Sequence, residues 1–166
     1  MPHINNPGVD WCVTAYIVRE HEGELQVLLC DHRKLGTWVP IGGHVEPHED
    51  PITALFREVR EECGGIDIKL LYGKASRSHY GPKNYDLPKP DFFDLHPIET
   101  EVDHQHVGMG WICWLDAGEP TLSDEHRELR WFSRGDLSGV SMPINVLNHA
   151  CDALHYTKLD ISWVKE

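Results

Sequence analysis

One stretch, residues 43–64, constrains the fold of this chain more than any other. Asp50 followed by Pro51 is typical of a helix start, because aspartate caps free backbone N–H groups and proline suits the first helical position. Gly64 and Gly65 favour an end after about three turns, since glycine adopts the left-handed conformation that closes a helix. Apolar residues at three- and four-residue spacing predict a core-facing stripe. The predicted stripe consists of Ile52, Leu55, Phe56, Val59 and Cys63.

The same predicted helix carries an acidic cluster. Glu58, Glu61 and Glu62 stand at i, i+3 and i+4, so their carboxylates lie within one turn and repel one another. A hard divalent cation such as Mg²⁺ takes oxygen ligands and would remove the repulsion. A solvated acidic face is the common alternative for an isolated cluster. A preceding glycine pair, a spaced glutamate and an arginine directly before the cluster favour the metal site.

These residues together resemble the Nudix box. The box reads Gly, five residues, Glu, seven residues, Arg-Glu, a hydrophobic residue, any residue, Glu-Glu, any residue, Gly and a hydrophobic residue. The matching residues are Gly43, Glu49, Arg57, Glu58, Val59, Glu61, Glu62 and Gly64. The last position departs from the pattern, because Gly65 replaces the hydrophobic residue and Ile66 follows one place late. The chain therefore resembles the Nudix hydrolase family.

The resemblance implies a Nudix-like mixed β-sheet flanked by helices, an α+β or layered α/β/α class. It also implies hydrolysis of a phosphoanhydride bond with Mg²⁺, or with Mn²⁺ in its place. The implied metal-site residues are Gly43, Glu58, Glu61 and Glu62. Arg57 is expected to orient a box carboxylate, Glu49 or Glu61, through a forked ion pair.

A general base is needed near the metal to activate the attacking water. The resemblance offers Glu61 in the box helix, or a glutamate on a late loop, where Glu125 and Glu128 stand. Glu125 is slightly preferred, because a loop residue can swing towards a cleft. The candidate catalytic residues are therefore Arg57, Glu61 and Glu125.

Two segments outside the box are candidates for substrate contacts. Arg33, Lys34 and Trp38 closely precede the box, where a basic side chain could hold a phosphate and an indole could stack on a base. A solvated loop and a core tryptophan are the alternative. His106, at the mouth of a predicted strand, completes the substrate-binding candidates Arg33, Trp38 and His106. His104 and His106 also suggest a transition-metal site, but no third or fourth ligand stands at the expected spacing.

Strand signals occur on both sides of the box helix. The predicted strands cover residues 11–18, 25–30, 66–71, 92–98, 107–115 and 129–132, and a second helix is predicted from Pro143 to about Tyr156. Residues 76–91 form a long irregular segment, which is either a substrate lid or a surface loop. The length of 166 residues predicts a single domain, 1–166, in which the leader 1–10 and the tail 157–166 could be loose.

Composition narrows the expected partners. The formal net charge of −12 argues against non-specific binding to nucleic acid. Five widely spaced cysteines without a Cys-x-x-Cys pair predict reduced thiols in a cytoplasmic protein. No signal peptide is expected, and no apolar run long enough to span a membrane is found. A small nucleotide is the expected partner, and a homodimer is left open.

The expected activity is metal-dependent hydrolysis of a nucleoside diphosphate linked to another group. The substrate class is a nucleotide sugar, ADP-ribose or a nucleoside triphosphate. The alternative is a catalytically silent Nudix-like module that binds or senses a nucleotide. Such a module usually loses box glutamates, and this chain keeps them. RNA decapping is disfavoured because the chain has no basic stripe.

Overall fold

The computed structural model describes residues 9–71, 86–97 and 104–160, with side chains up to Thr157. Most of the predicted irregular segment, the first eight residues of the predicted leader and the end of the predicted tail lie outside the described residues. The elements are β1 (Val9–His21), β2 (Glu24–His32), β3 (Thr37–Val39), β4 (Ile41–His44), α1 (Pro51–Cys63), β5 (Ile66–Leu70), β6 (Phe92–Pro97), β7 (Gln105–Gly118), β8 (His126–Ser133), α2 (Arg134–Leu137) and α3 (Ile144–Asp160).

The described strands form one mixed sheet in the order β3-β2-β1-β7-β5, in which β4 pairs with β1, β6 with β7 and β8 with β2. The central strands β1 and β7 run parallel, and the other pairs are antiparallel. Helices α1 and α3 pack on the sheet. This is the mixed sheet flanked by helices that the resemblance implied, so the predicted fold class is confirmed.

Strand β1 changes partners along one of its edges. Residues 18–21 of β1 pair with β2, whereas residues 12–15 pair with β4. The sheet therefore splits along β1, and the glycine-rich strand β4 leads directly into the segment before α1. This change of partner places Gly42 and Gly43 of β4 beside the middle of β1.

Two buried clusters fill the two sides of the sheet. The first joins α1 to the odd-numbered side chains of β1 and β7, among them Val13 and Met109, and the second joins α3 to the opposite face. Period-two alternation along the strands causes this division, because successive side chains point to opposite faces. The box helix is thus anchored by its apolar side, which fixes the direction of its glutamates.

The predicted ends of the box helix are confirmed. The Asp50 carboxylate oxygen Oδ1 accepts hydrogen bonds from the backbone nitrogens of Ile52 at 2.9 Å and Thr53 at 3.0 Å. Pro51 is the first helical residue. Gly64 and Gly65 have positive φ angles of 35° and 69°, a region that favours glycine.

The prediction that Phe56 faces the core is wrong, since this side chain is 41% exposed. Successive residues of a helix are rotated by about 100°. The buried arc of α1 is shifted towards the glutamate side and includes Ala54 and Glu62, so Phe56 stands beyond its far edge. The rest of the predicted stripe is buried or half-buried.

The other differences from the predicted elements concern lengths and short elements. Strand β1 includes the last two residues of the predicted leader, and α3 extends into the predicted tail. Strands β3 and β4 and helix α2 are too short to produce a periodic pattern; α2 is instead defined by a capping box between Ser133 and Asp136. All five cysteines are free, as predicted. Among the described helices, none is long and apolar enough to cross a membrane.

Candidate active site

The glycine turn before the box helix receives one of its glutamates. The backbone nitrogen of Gly42 donates a hydrogen bond of 3.0 Å to Oε2 of Glu62, which is only 6% exposed. The other oxygen, Oε1, lies 3.6 Å from Nε2 of the fully buried His126. The Glu62 carboxylate is therefore held by a hydrogen bond on one oxygen, and its other oxygen lies near a buried imidazole.

Gly43 packs directly against a second glutamate. A Cβ atom added at Gly43 would lie 2.4 Å from Oε1 of Glu58, so any larger residue there would displace this carboxylate. Burial raises the pKa of Glu58 to about 7, and the charges of Glu62 and Glu61 act in the same direction. The hydrogen bond from Arg57 opposes this rise without cancelling it. The acidic cluster of α1 is thus crowded and partly desolvated.

Arg57 holds the box carboxylates in place. Its Nε and Nη2 atoms donate to the two oxygens of Glu49 at 3.1 and 2.7 Å, which is a forked ion pair. Its Nη1 atom donates to Glu58 Oε1 at 2.7 Å and to Glu61 Oε2 at 3.0 Å. The hydrogen bond to Arg57 lowers the pKa of Glu49. We expected Arg57 to bind Glu49 or Glu61; in the structure it binds both, and Glu58 as well.

A cleft of about 480 Å³ opens over these residues. Outside the box, the sequence candidates Lys34, His104, His106 and Glu125 line it. Glu61 also lines the cleft, and its side chain is 55% exposed. Glu128, the other late glutamate, is absent from the lining and instead lies 3.8 Å from the guanidinium of Arg130.

Arg33 and Trp38, two of the predicted substrate-binding residues, are not among the residues that line the cleft. The exposed Arg33 side chain donates through Nε to the carbonyl oxygen of Asp124 at 3.0 Å. The Trp38 ring packs edge-on against Phe132 with 4.9 Å between centroids. Trp38 and Val39 are neighbours on one strand and point to opposite faces, and Val39 is the one that lines the cleft. The structure therefore does not place Arg33 or Trp38 at the cleft, and their contact with substrate stays a prediction.

Sequence reasoning missed an aromatic wall of the cleft. Phe92 stacks on His149 with a centroid distance of 4.3 Å and an interplanar angle of 13°. Tyr16 packs edge-on against Phe92, and its hydroxyl lies 3.3 Å from Nδ1 of His149. These three residues come from β1, β6 and α3, so no local pattern could have brought them together. An inward-facing Tyr16 could have been found from the alternation of β1 alone.

A histidine cluster also lines the cleft. The Nε2 atoms of His44 and His106 lie 3.2 Å apart, and the His106 ring also meets those of His96 and His104 edge-on. Burial lowers the pKa of His106 to about 4, and the neighbouring histidines reinforce that shift. His106 is therefore neutral at physiological pH, which suits hydrogen bonding or metal ligation.

A family model described as NUDIX domain matches residues 10–149. The chain belongs to the Nudix family. A NUDIX-family hydrolase from Clostridium perfringens is 27% identical, with a TM-score of 0.74 over 89% of this chain and 97% of that chain. The Ap4A hydrolase of C. elegans, solved as a binary complex, is 18% identical, with a TM-score of 0.63 over 92% and 98% of the two chains. The NUDIX domain of Shewanella oneidensis NrtR, complexed with ADP ribose, is 16% identical, with a TM-score of 0.59 over 90% and 88%. At these identities the last two relatives show the fold alone.

The residues of this Nudix protein fit a hard divalent cation. Glu58 and Glu62 bring carboxylate oxygens to the glycine turn, and oxygen donors are what Mg²⁺ prefers. Gly43 has no side chain to obstruct the space in front of Glu58. The pKa of Glu58 is raised because a buried negative charge lacks enough compensation, and a cation would supply it.

Proposed function

We propose that this protein is a Mg²⁺-dependent hydrolase of a phosphoanhydride bond in a nucleoside diphosphate linked to another group. The observation that carries the proposal is the pair Glu58 and Glu62, held at the Gly42–Gly43 turn on the floor of a cleft. The cleft volume of about 480 Å³ lies within the usual range for small-molecule sites. The membership in the Nudix family supports the reaction type.

The bound cation would act as a Lewis acid that stabilises charge on the phosphate oxygens. Arg57 would keep Glu58 and Glu61 at fixed positions, because its guanidinium donates to both. Lys34 lines the same cleft and would contribute a positive charge for a phosphate. The stacked pair Phe92 and His149 offers an aromatic surface for a nucleobase.

Glu125 is the residue we propose as general base, with Glu61 as the alternative. Glu125 is exposed and lines the cleft, so it can accept a proton from a water inside it. Glu61 accepts a hydrogen bond from Arg57 at 3.0 Å, so one of its oxygens is already occupied. Matched variants Glu125→Gln and Glu61→Gln separate the two, since loss of the base should remove the rise of kcat with pH.

The substrate class is a nucleotide sugar, ADP-ribose or a nucleoside polyphosphate. Two relatives with the same fold favour a nucleotide: one is an Ap4A hydrolase, and the other binds ADP ribose. A bound ADP ribose is equally expected of the alternative, a module that binds a nucleotide without turnover. A panel of ADP-ribose, nucleotide sugars, dinucleoside polyphosphates and nucleoside triphosphates, with Mg²⁺ or Mn²⁺ and product separation, tests both.

The decisive variant is Glu62→Gln, which removes a charge and keeps an oxygen that can accept the Gly42 N–H. Loss should appear mainly in kcat and amount to about 10³-fold, or about 4 kcal/mol of barrier. Glu128→Gln is the matched control, because this exposed glutamate lies outside the cleft lining. Binding of ADP-ribose with no product from any compound in the panel would favour the silent module. Equal, mild losses in both variants of an active protein would exclude the box carboxylates as the metal site.

A further inference from the structure

The strongest unexplained feature outside the box glutamates is the carboxylate of Asp10. Its side chain is 3% exposed, and neither of its oxygens has a hydrogen-bond partner among the described residues. Burial of a charged group is costly unless the charge is paired or coordinates a metal. The closest cationic candidates are two imidazoles: His104 Nε2 lies 3.4 Å and His44 Nε2 lies 3.7 Å from Oδ2 of Asp10.

The topology of the sheet brings these residues together from three parts of the chain. Asp10 stands opposite His106 in the parallel pairing of β1 with β7. His44 ends β4 and stands opposite Cys12, two residues after Asp10 on the same face of β1. His104 directly precedes β7. The two ligands that the sequence spacing of His104 and His106 did not supply are therefore provided by neighbouring strands.

The distances match those between the ligands of one ion. Ligand atoms about 2.0–2.2 Å from a tetrahedral Zn²⁺ stand roughly 3.3–3.6 Å apart. The separations from Oδ2 of Asp10 to Nε2 of His104 and of His44 are 3.4 and 3.7 Å. The ligand atoms of Asp10, His44 and His104 all lie within 4.8 Å of one another.

We propose that Asp10, His44 and His104 form a three-ligand transition-metal site that selects Zn²⁺ over Mg²⁺, with a fourth position left for water. Imidazole nitrogens suit Zn²⁺, whereas Mg²⁺ favours oxygen ligands and near-octahedral geometry. The His44 side chain is 32% exposed and both His44 and His104 line the cleft, so an ion can enter from it. This site is distinct from the box carboxylates and does not depend on the proposed hydrolysis.

Cys12 belongs to an overlapping group, with His44 and His106, that offers a competing ligand set. The two sets share His44 and differ in one respect that can be measured, since only one of them contains sulfur. Co²⁺ bound by a thiolate gives a sulfur-to-metal charge-transfer absorption, whereas Co²⁺ bound by Asp10 and imidazoles gives only ligand-field bands.

The test uses the full chain without a polyhistidine tag, stripped with EDTA, loaded with Zn²⁺ and dialysed against metal-free buffer that contains millimolar Mg²⁺. Mass spectrometry of the metal should find one equivalent of Zn²⁺ in the wild type and in Glu62→Gln. Asp10→Asn, His44→Gln and His104→Gln should each weaken Zn²⁺ binding. The loss should be at least roughly tenfold to hundredfold, which is the usual cost of removing a group that only supports a metal ligand. Circular dichroism of each variant separates loss of the site from loss of the fold.

The matched control is His96→Gln. This histidine lies in the same cleft and its ring is 5.5 Å from that of His106, but its Nδ1 atom binds Asp94 at 2.9 Å and it belongs to neither group. Full Zn²⁺ retention in His96→Gln supports the assignment. Retention by the folded His44→Gln and His104→Gln variants, loss in Glu62→Gln instead, or a charge-transfer band that disappears in Cys12→Ser would each overturn it. A wild type that retains no Zn²⁺ would mean a hydrogen-bonded histidine cluster only.

Discussion

The contact between Gly43 and Glu58 gives the sharpest test of how the box carboxylates are held. In Gly43→Ala the new Cβ would stand 2.4 Å from Oε1 and 2.6 Å from Cδ of Glu58, whereas an ordinary contact begins at 3.4 Å. Glu58 must therefore move by about 1 Å. It cannot swing away without loss, because Arg57 donates to the same oxygen at 2.7 Å. A displacement of about 1 Å at a catalytic group can cost about 10²-fold, or roughly 2.7 kcal/mol of barrier.

The expected result for Gly43→Ala is a loss of about 10²-fold in kcat and a higher Mg²⁺ requirement, with a folded protein. The backbone itself tolerates alanine, since Gly43 is not among the residues with a positive φ angle. Gly135→Ala is the control, because the nearest atom to its added Cβ is 3.7 Å away. The assays are steady-state turnover of the best compound in the substrate panel, a Mg²⁺ titration and thermal unfolding. A Gly43→Ala protein with wild-type kcat and an unchanged Mg²⁺ titration would refute the reasoning.

Three further outcomes are expected. In Arg57→Lys the lysine cannot reproduce the forked ion pair with Glu49, so the free energy of unfolding should fall by about 2 kcal/mol. Thermal unfolding should then show a melting temperature roughly 4–8 °C lower, and an unchanged melting temperature would contradict this. In the absence of metal, burial raises the folded-state pKa of Glu58 to about 7, so its contribution to stability is complete at acidic pH and is lost as pH rises through 7. Thermal scans in EDTA should therefore show a melting temperature that falls with pH in the wild type and falls less in Glu58→Gln. Mg²⁺ should reduce the fall in the wild type. In native thiol titration only the half-buried Cys151 should react quickly, since burial raises the pKa of Cys12 to about 12 and the remaining cysteines are buried too; rapid reaction of more than one thiol would count against these positions.

The box helix could be predicted from the sequence because its signals are local. The Asp50 cap and the glycine end act within a turn of the residues they stabilise, and the Arg57–Glu58 pair belongs to the same helix. The error at Phe56 arose because a buried polar residue, Glu62, occupies part of the arc that an apolar stripe would normally fill. Periodicity of apolar residues alone cannot detect that substitution.

The walls of the cleft could not be predicted in the same way, because they depend on strand register. Trp38 and its neighbour Val39 differ only in the face to which they point, and that face is set by the pairing of β3 with β2. The pairing of Asp10 with His106 joins residues that are far apart in the sequence, each near the start of a strand of the central parallel pair. Lys34, His106 and Glu125 could still be assigned to the cleft in advance, the first two from their places beside the box and at a strand mouth, and Glu125 from the family resemblance.

Strand β4 links the two sets of charged groups in the cleft. Its glycines receive Glu62 and make room for Glu58, and its last residue, His44, faces Asp10. Arg57 strengthens this link, because its Nη2 atom donates to the carbonyl oxygen of His44 at 2.9 Å while it also binds the box carboxylates. The oxygen donors and the imidazole donors are thus separated by chemistry but fixed by one backbone segment. Any change that shifts β4 should therefore alter the affinities for Mg²⁺ and Zn²⁺ together, whereas changes confined to Glu62 or to His104 should alter only one of them.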